Sequence, residues 1–298
     1  MSDQAQKLRE MIYAMNTQSA GESETSGGEN KASVFCITSG KGGVGKTSFT
    51  VNFAIALSRC GKKVAIIDAD FGFSNVNIML GVNSQYNLSH VISGEMRLSE
   101  VMEECFPGVW YIAGGSGVQD LLQMSEIKLE HMISQLSALE NTMDYILFDT
   151  GGGMNNSILR LIDASDETIL VITSEPTSIL DGYVVLKTAS TLKNMPKIRT
   201  LINKARSESE AVSTHASFST VALKYLQYKV DMLGYIVMDD KMTESISNFM
   251  PHIVKYPMSM ASKQIQLLAN KVTDSNAGQD KRAKGLKGFF SRFLRGGQ

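Results

Sequence analysis

The sequence predicts an α/β protein: a mainly parallel sheet covered by helices on both faces. Three observations carry this. Seven short apolar runs recur along the chain, at 33–38 (SVFCIT), 63–68 (KVAIID), 109–113 (VWYIA), 144–149 (DYILFD), 168–173 (TILVIT), 199–203 (RTLIN) and 233–237 (LGYIV). Amphipathic stretches near 47–60, 126–141, 178–193, 213–228 and 259–271 lie between them. A glycine-rich loop, GKGGVGKT, joins the first run to the first amphipathic stretch. Continuous apolar runs of this length suit strands buried on both faces, and helical crossovers return the chain to lay each strand parallel to the last.

In chain order, a short patterned segment at 3–15 precedes a Gly/Ser/Glu-rich run at 16–31, which reads as a linker. The folded domain is expected from Ala32 to residue 273, and a second composition break, TDSNAGQDKRAKG, marks a linker before the last segment (274–298). With 298 residues, one large domain with appendages fits better than two small ones. No internal repeat is evident.

Composition narrows the class. Hydrophobic residues at 43% and charged residues at 20% are ordinary for a globular chain, and a net charge of -1 gives no global pull toward nucleic acid. The charge is unevenly spread: residues 281–298 hold six Lys/Arg and no acid, leaving 23 basic against 30 acidic residues in the body. Cys36, Cys60 and Cys105 are odd in number and far apart, which argues against a disulfide framework and for core thiols in a reducing compartment. No stretch reaches the roughly 18 apolar residues of a membrane span, and the N-terminus lacks the apolar core of a secretion signal. The four histidines show no metal-ligand spacing, so no metal other than Mg²⁺ is expected.

The loop from Gly40 to Thr47 fits GxxxxGK[ST] between a strand and a helix, the setting that motif needs. Gly40, Gly42, Gly43, Val44 and Gly45 let backbone N–H groups wrap phosphate, Lys46 reaches the β- and γ-phosphates, Thr47 offers its hydroxyl to Mg²⁺, and Ser48 follows at the helix start. Ligands of open α/β sheets lie at the carboxyl ends of the strands, where Asp68, Asp70 and Asp149 fall. A carboxylate there can order the water shell of Mg²⁺, which suits Asp149, or hold an attacking water, which suits Asp70; either can also be a turn or helix-cap residue. After RTLIN, the run Asn203-Lys204-Ala205-Arg206 resembles a guanine signature but has Arg where the acid belongs, which favours ATP over GTP; Asn203 there is a strand-end residue that can cap a turn or meet the base. Gly114, Gly115 and Gly117 read as a strand-end turn near the site, and Met79, Met238 and Met250 have no assigned role.

With Lys41 as an additional lysine inside the loop, the chain resembles the MinD/ParA group of ATPases. That resemblance implies a slow Mg-dependent ATPase in which Lys41 crosses to the ATP of a second copy, so that Lys41, Lys46 and Asp70 are catalytic, Asp149 is the metal-side acid and the ATP-bound state is a homodimer. The stretches DTGGGMN (149–155) and TSEPTSILDGYVVLK (173–187), with DQAQKLR near the N-terminus, narrow the resemblance to flagellar-number regulators within that family. It covers nearly the whole chain. It implies a peripheral protein at the inner face of the cell membrane, near the cell pole, whose partners are the signal-recognition-type GTPase FlhF and a flagellar transcription activator.

Both ends fit that reading. Ala5, Leu8, Ile12 and Met15 share one helical face behind Asp3 as an N-cap, and the resemblance gives Gln4 and Arg9 the stimulation of the GTPase. At the other end Leu286, Phe289, Phe290, Phe293 and Leu294 share a face opposite basic residues, the pattern of an interfacial membrane helix. Burying such side chains yields about 1.5 to 3 kcal/mol each, and ordering the helix offsets much of it, so one copy binds weakly and a dimer gains avidity. The other place for these phenylalanines is against the body itself. A protein acting chiefly by binding a transcription activator is a second reading. A DNA-partitioning ATPase is a third, disfavoured by the acidic body; a metal-transfer ATPase would need cysteine ligands that the spacing does not supply.

Overall fold

The computed structural model describes residues 32–70, 76–115, 139–193, 195–277, 288–289 and 292–293. Asp3, Gln4, Ala5, Leu8, Arg9, Ile12 and Met15 of the arm, Gly117, most of the stretch at 126–141, and Leu286, Phe290 and Leu294 of the tail lie outside these residues.

All seven apolar runs are strands. These are β1 (Ser33–Ser39), β2 (Val64–Ala69), β4 (Val109–Ile112), β5 (Tyr145–Gly152), β6 (Glu167–Ile172), β7 (Ile198–Ala205) and β8 (Asp231–Val237). An eighth, β3 (Glu103–Phe106), has little apolar pattern because it is a half-exposed edge strand, the one antiparallel member. The sheet order is β3-β4-β2-β5-β1-β6-β7-β8. The chain leaves β1 toward β2 on one side, and later crosses from β5 to β6 on the other. The carboxyl end of β1 is therefore a topological switch point, where open α/β sheets bind ligands.

Alternation along each strand builds two cores. Phe35 and Ile37 of β1 face the helix α1 (Lys46–Arg59) and α10 (Met260–Ala277), whose Phe49, Phe53, Ile265 and Val272 are buried with them. Val34 and Cys36 face the opposite layer, made by α5 (Asn156–Ala164), α6 (Pro176–Ala189) and α7 (Glu208–Leu226). Within α1, Phe49 stacks on Phe53 one turn further on, with ring centroids 4.9 Å apart. Short helices absent from the sequence reading complete the layers: α2 (Val76–Leu80), α3 (Leu88–Ser93), α4 (Leu98–Val101), α8 (Lys241–Ser247) and α9 (His252–Lys255). They are too brief to display a helical period.

Helix α10 continues to Ala277, through the first residues of the stretch read as a linker. Nothing before Gly278 breaks a helix there.

The two described tail phenylalanines lie inside. Phe289 and Phe293 are 1% and 0% exposed and belong to the core on the α5–α6–α7 side. Phe289 stacks on Phe148 of β5 at 4.8 Å and on Phe293 at 5.9 Å, while Arg292 reaches Asp166 at 3.3 Å. Two residues of the face read as membrane-binding, Phe289 and Phe293, are thus packed on the body, where their rings fill the space beside Phe148 and leave water. Of the thiols, Cys36 is buried and burial pushes its pKa up, whereas Cys60 and Cys105 are only half-buried.

Candidate functional site

The loop between β1 and α1 turns on glycines. Gly43 and Gly45 have φ of 78° and 90°, a left-handed geometry that costs side-chain-bearing residues energy. Gly45 is also the N-cap of α1, and no side chain caps that helix end. The N-terminal N–H groups of α1, with its dipole, are thus aimed at the loop, which is a seat for a phosphate chain.

Four side chains converge under this loop. Asp149 of β5, 1% exposed, accepts from Thr47 Oγ1 at 2.7 Å and from Thr50 Oγ1 at 2.8 Å, and lies 3.6 Å from Lys46 Nζ. Lys46 is 7% exposed. Burial raises the pKa of Asp149; Lys46, Thr47 and Thr50 pull it back and nearby Asp70 pushes it up again. A desolvated carboxylate beside a threonine hydroxyl is a hard-oxygen donor set of the kind that suits Mg²⁺ and its water shell.

The other predicted residues fall around the same cleft. Asp70 follows β2, and its carboxylate lies over Gly151, where an added Cβ would stand 3.1 Å from Oδ1. Asp68, 2% exposed, accepts from the Asp70 N–H at 3.0 Å, so it shapes the turn that carries Asp70. Gly114 packs against the Asp68 carbonyl, and Gly115 has a φ of 56°. Asn203 ends β7 beside the loop, donating from Nδ2 to Val44 O at 2.8 Å. Ser48 donates to Met242 Sδ at 3.1 Å. Lys41 points along the rim, its Nζ 3.0 Å from both Glu175 Oε2 and Thr177 Oγ1 at the start of α6. That contact lowers the pKa of Glu175 through hydrogen bonding and charge.

Several lining residues escaped the sequence reading. Lys204, at φ 56°, folds back so that Nζ donates to Gly43 O at 2.8 Å. Met238, Asp239 and Met242, on the connection from β8 into α8, form a wall of the cavity of about 1170 Å³ that runs on from the loop. Glu175 and Thr177 stood in a quoted motif without a role. Nothing in their spacing announces these positions: Lys204 turns in at an irregularity near the end of β7, Glu175 and Thr177 follow β6, and Met238, Asp239 and Met242 follow β8.

A glycine-wrapped helix start at a switch point, with a buried lysine, threonine and aspartate beneath it, defines a P-loop NTPase. The ParA family, described as NUBPL iron-transfer P-loop NTPase, matches residues 30–273. The chain is 31% identical over 246 residues to the antiactivator FleN of Pseudomonas aeruginosa, covering 83% of this chain and 88% of FleN. It is 29% identical over 299 residues to the flagellum site-determining protein YlxH of Helicobacter pylori, covering 99% of both. Among solved structures, the MinC:MinD cell division protein complex of Aquifex aeolicus gives a TM-score of 0.65 at 25% identity, covering 82% of this chain and 96% of that one. The chain belongs to the ParA/MinD family of P-loop ATPases, on the branch that holds FleN and YlxH.

Proposed function

We propose that this ATPase is a dimerising switch that regulates flagellar number and placement. Support comes from the match to a flagellum site-determining protein along 99% of both chains, joined to a complete P-loop site. One observation carries the switch: Lys41 lies in the P-loop, yet its ammonium is held at the rim by Glu175 and Thr177 and not over the loop's own phosphate seat. A cation so placed is available to a nucleotide on a second copy.

In this reading the N–H groups from Gly40 to Thr47 cradle the phosphates, Lys46 contacts the β- and γ-phosphates, and Ser48 lies beside them. Thr47 and Asp149 hold Mg²⁺, partly through water, and bound Mg²⁺ neutralises charge on the phosphates. Asp70 orients the attacking water and Asn203 meets the base. A relative from Pyrococcus horikoshii was solved with Mg-ADP, which agrees with this ligand class. The ATPase unit spans 32–273, the arm at 1–31 stimulates FlhF, and 274–298 carries the membrane segment at the inner face of the cell membrane near the pole. No helix among the described residues is long and apolar enough to cross a membrane. Membrane binding then requires Phe289 and Phe293 to leave the core, with the ATP dimer presenting two tails and gaining avidity.

A second reading has a specific observation behind it. With Phe289 and Phe293 buried, the protein would act by contact with a transcription activator, as the antiactivator name of FleN suggests, and the ATPase would time that contact.

Sedimentation with anionic liposomes under ATP or ADP separates the two. ATP-dependent pelleting, prolonged by Asp70→Ala and abolished in a chain ending at Asp280, is expected of the switch. Equal pelleting in both nucleotides, or none, favours the activator-binding reading.

A further inference from the structure

Beyond the P-loop the cavity ends at Met238, Asp239 and Met242. In the ATP-binding reading Asn203 meets the base, and Met238 and Asp239, which line the same cavity, complete the base wall. Asp239 is fixed there from two sides. Its Oδ1 accepts from Lys241 N at 3.0 Å, and its Oδ2 lies 3.1 Å from His252 Nε2.

His252 is otherwise unexplained: an imidazole with 0% side-chain exposure, remote from the phosphate seat. Asp239 only accepts, so Nε2 supplies the proton of their contact, sharing it with Ser259 Oγ at 2.8 Å. Nδ1 meets Ser245 Oγ at 3.2 Å, and that hydroxyl donates to Lys241 O at 2.9 Å. One ring thus ties together the connection after β8, helix α8 and the start of α10.

The same segment is anchored to the phosphate-binding helix. Ile253 N donates to Asn52 Oδ1 at 2.7 Å, and Arg59 of α1 donates to Ile253 O at 3.1 Å. Asn52 is fully buried and its amide donates to Ser48 O at 2.7 Å, one turn from the loop. Hydrogen bonds from the P-loop helix to Ile253, and from His252, its neighbour in the chain, to Asp239, therefore connect the two regions through one peptide unit. Buried polar networks of this kind, when satisfied, fix a single geometry.

We propose that His252 is a positioning residue for nucleotide recognition: by fixing Asp239 relative to α1, it sets the spacing between the base wall and the phosphate seat. The inference rests on the ATP-binding reading of this cavity. The ring does not touch the nucleotide and acts only through Asp239.

The test is titration calorimetry of the full-length chain with ATP and, separately, with tripolyphosphate, which has phosphates but no base. For His252→Phe the expected result is about tenfold weaker ATP binding, the scale of losing a hydrogen bond to a charged group. Tripolyphosphate binding should stay within about twofold, because the loop is untouched. His252→Gln, which keeps an N–H within reach of Asp239, should recover most of the ATP affinity. Asp239→Ala should show the same split, and serves if His252→Phe does not fold. Unchanged ATP affinity in both variants would overturn the proposal, as would equal weakening of both ligands, which would mean general damage. Wild-type protein that binds tripolyphosphate but not ATP would overturn the nucleotide reading itself, and this inference with it.

Discussion

Thr47 Oγ1 lies 2.7 Å from Asp149 Oδ2, joining the first turn of α1 to the central strand β5 at the point where both meet the phosphate seat. This pair couples metal binding to pH. Asp149 has its pKa raised by burial above the ordinary 3.8, so the fold favours its protonated form. The resulting stability is complete below 3.8 and is lost as pH rises through the raised value. A bound divalent cation acts in the opposite sense, since it needs the ionised form. The extra thermal stabilisation given by Mg-ATP over ATP with chelator should therefore grow as pH rises through that raised value. Asp149→Asn should flatten that difference and lower hydrolysis by about a hundredfold. A pH-independent difference in the wild type would count against a metal role for Asp149.

Gly45 couples two predicted site residues through space. Its φ is 90°, and an added Cβ would fall inside contact distance of the Asn203 amide nitrogen. Gly45→Ala should cost about 1–3 kcal/mol and lower the melting temperature by several degrees, with loss of ATP binding. At Gly42 an added Cβ meets nothing within 4 Å, and its φ is not positive, so Gly42→Ala should leave the melting temperature unchanged. Differential scanning calorimetry of the two variants decides the matter. Equal effects would mean that the loop is not held in the described geometry.

The same contrast explains how much could be read beforehand. Lys46, Thr47, Asp70, Asp149 and Asn203 sit at strand ends or in a strict spacing, and apolar strands reveal their own ends, so sheet and cleft were legible together. Lys204 enters at a left-handed residue near the end of β7 and Glu175 on the connection after β6, places set by backbone dihedrals that no side-chain period records. The edge strand β3 and helices as brief as α9 are hidden because each lacks a buried face long enough to repeat. The tail left two destinations open for a different reason: an amphipathic pattern states that Phe289 and Phe293 must leave water, but not whether lipid or β5 receives them.

Lys41 and Glu175 make a pair that dimerisation would have to exchange. Both are solvent-exposed, with side-chain exposures of 40% and 66%, so the contact is weak and readily given up. Glu175→Gln should lower the dissociation constant of the ATP-bound dimer by about two- to fivefold, since it releases Lys41 without removing it. Lys41→Ala should abolish the dimer while leaving ATP binding by the monomer in place. Sedimentation velocity in ATP measures both. A dimer insensitive to either substitution would remove Lys41 from the interface.

Phe148 distinguishes a stored membrane segment from a permanently packed one. Its ring stacks on Phe289 at 4.8 Å from within β5, so changing it alters the dock without altering the tail. Phe148→Leu keeps that position apolar at a cost of about 1 kcal/mol and removes the stacked ring. If docking holds the tail back, this variant should pellet with anionic liposomes in ADP, where the wild type does not, and the effect should vanish in a chain ending at Asp280. If Phe289 and Phe293 are core residues for good, the melting temperature should fall and pelleting should stay at background. The first outcome makes the Phe148 surface a competitor of the membrane; the second leaves a binding regulator whose tail completes its core.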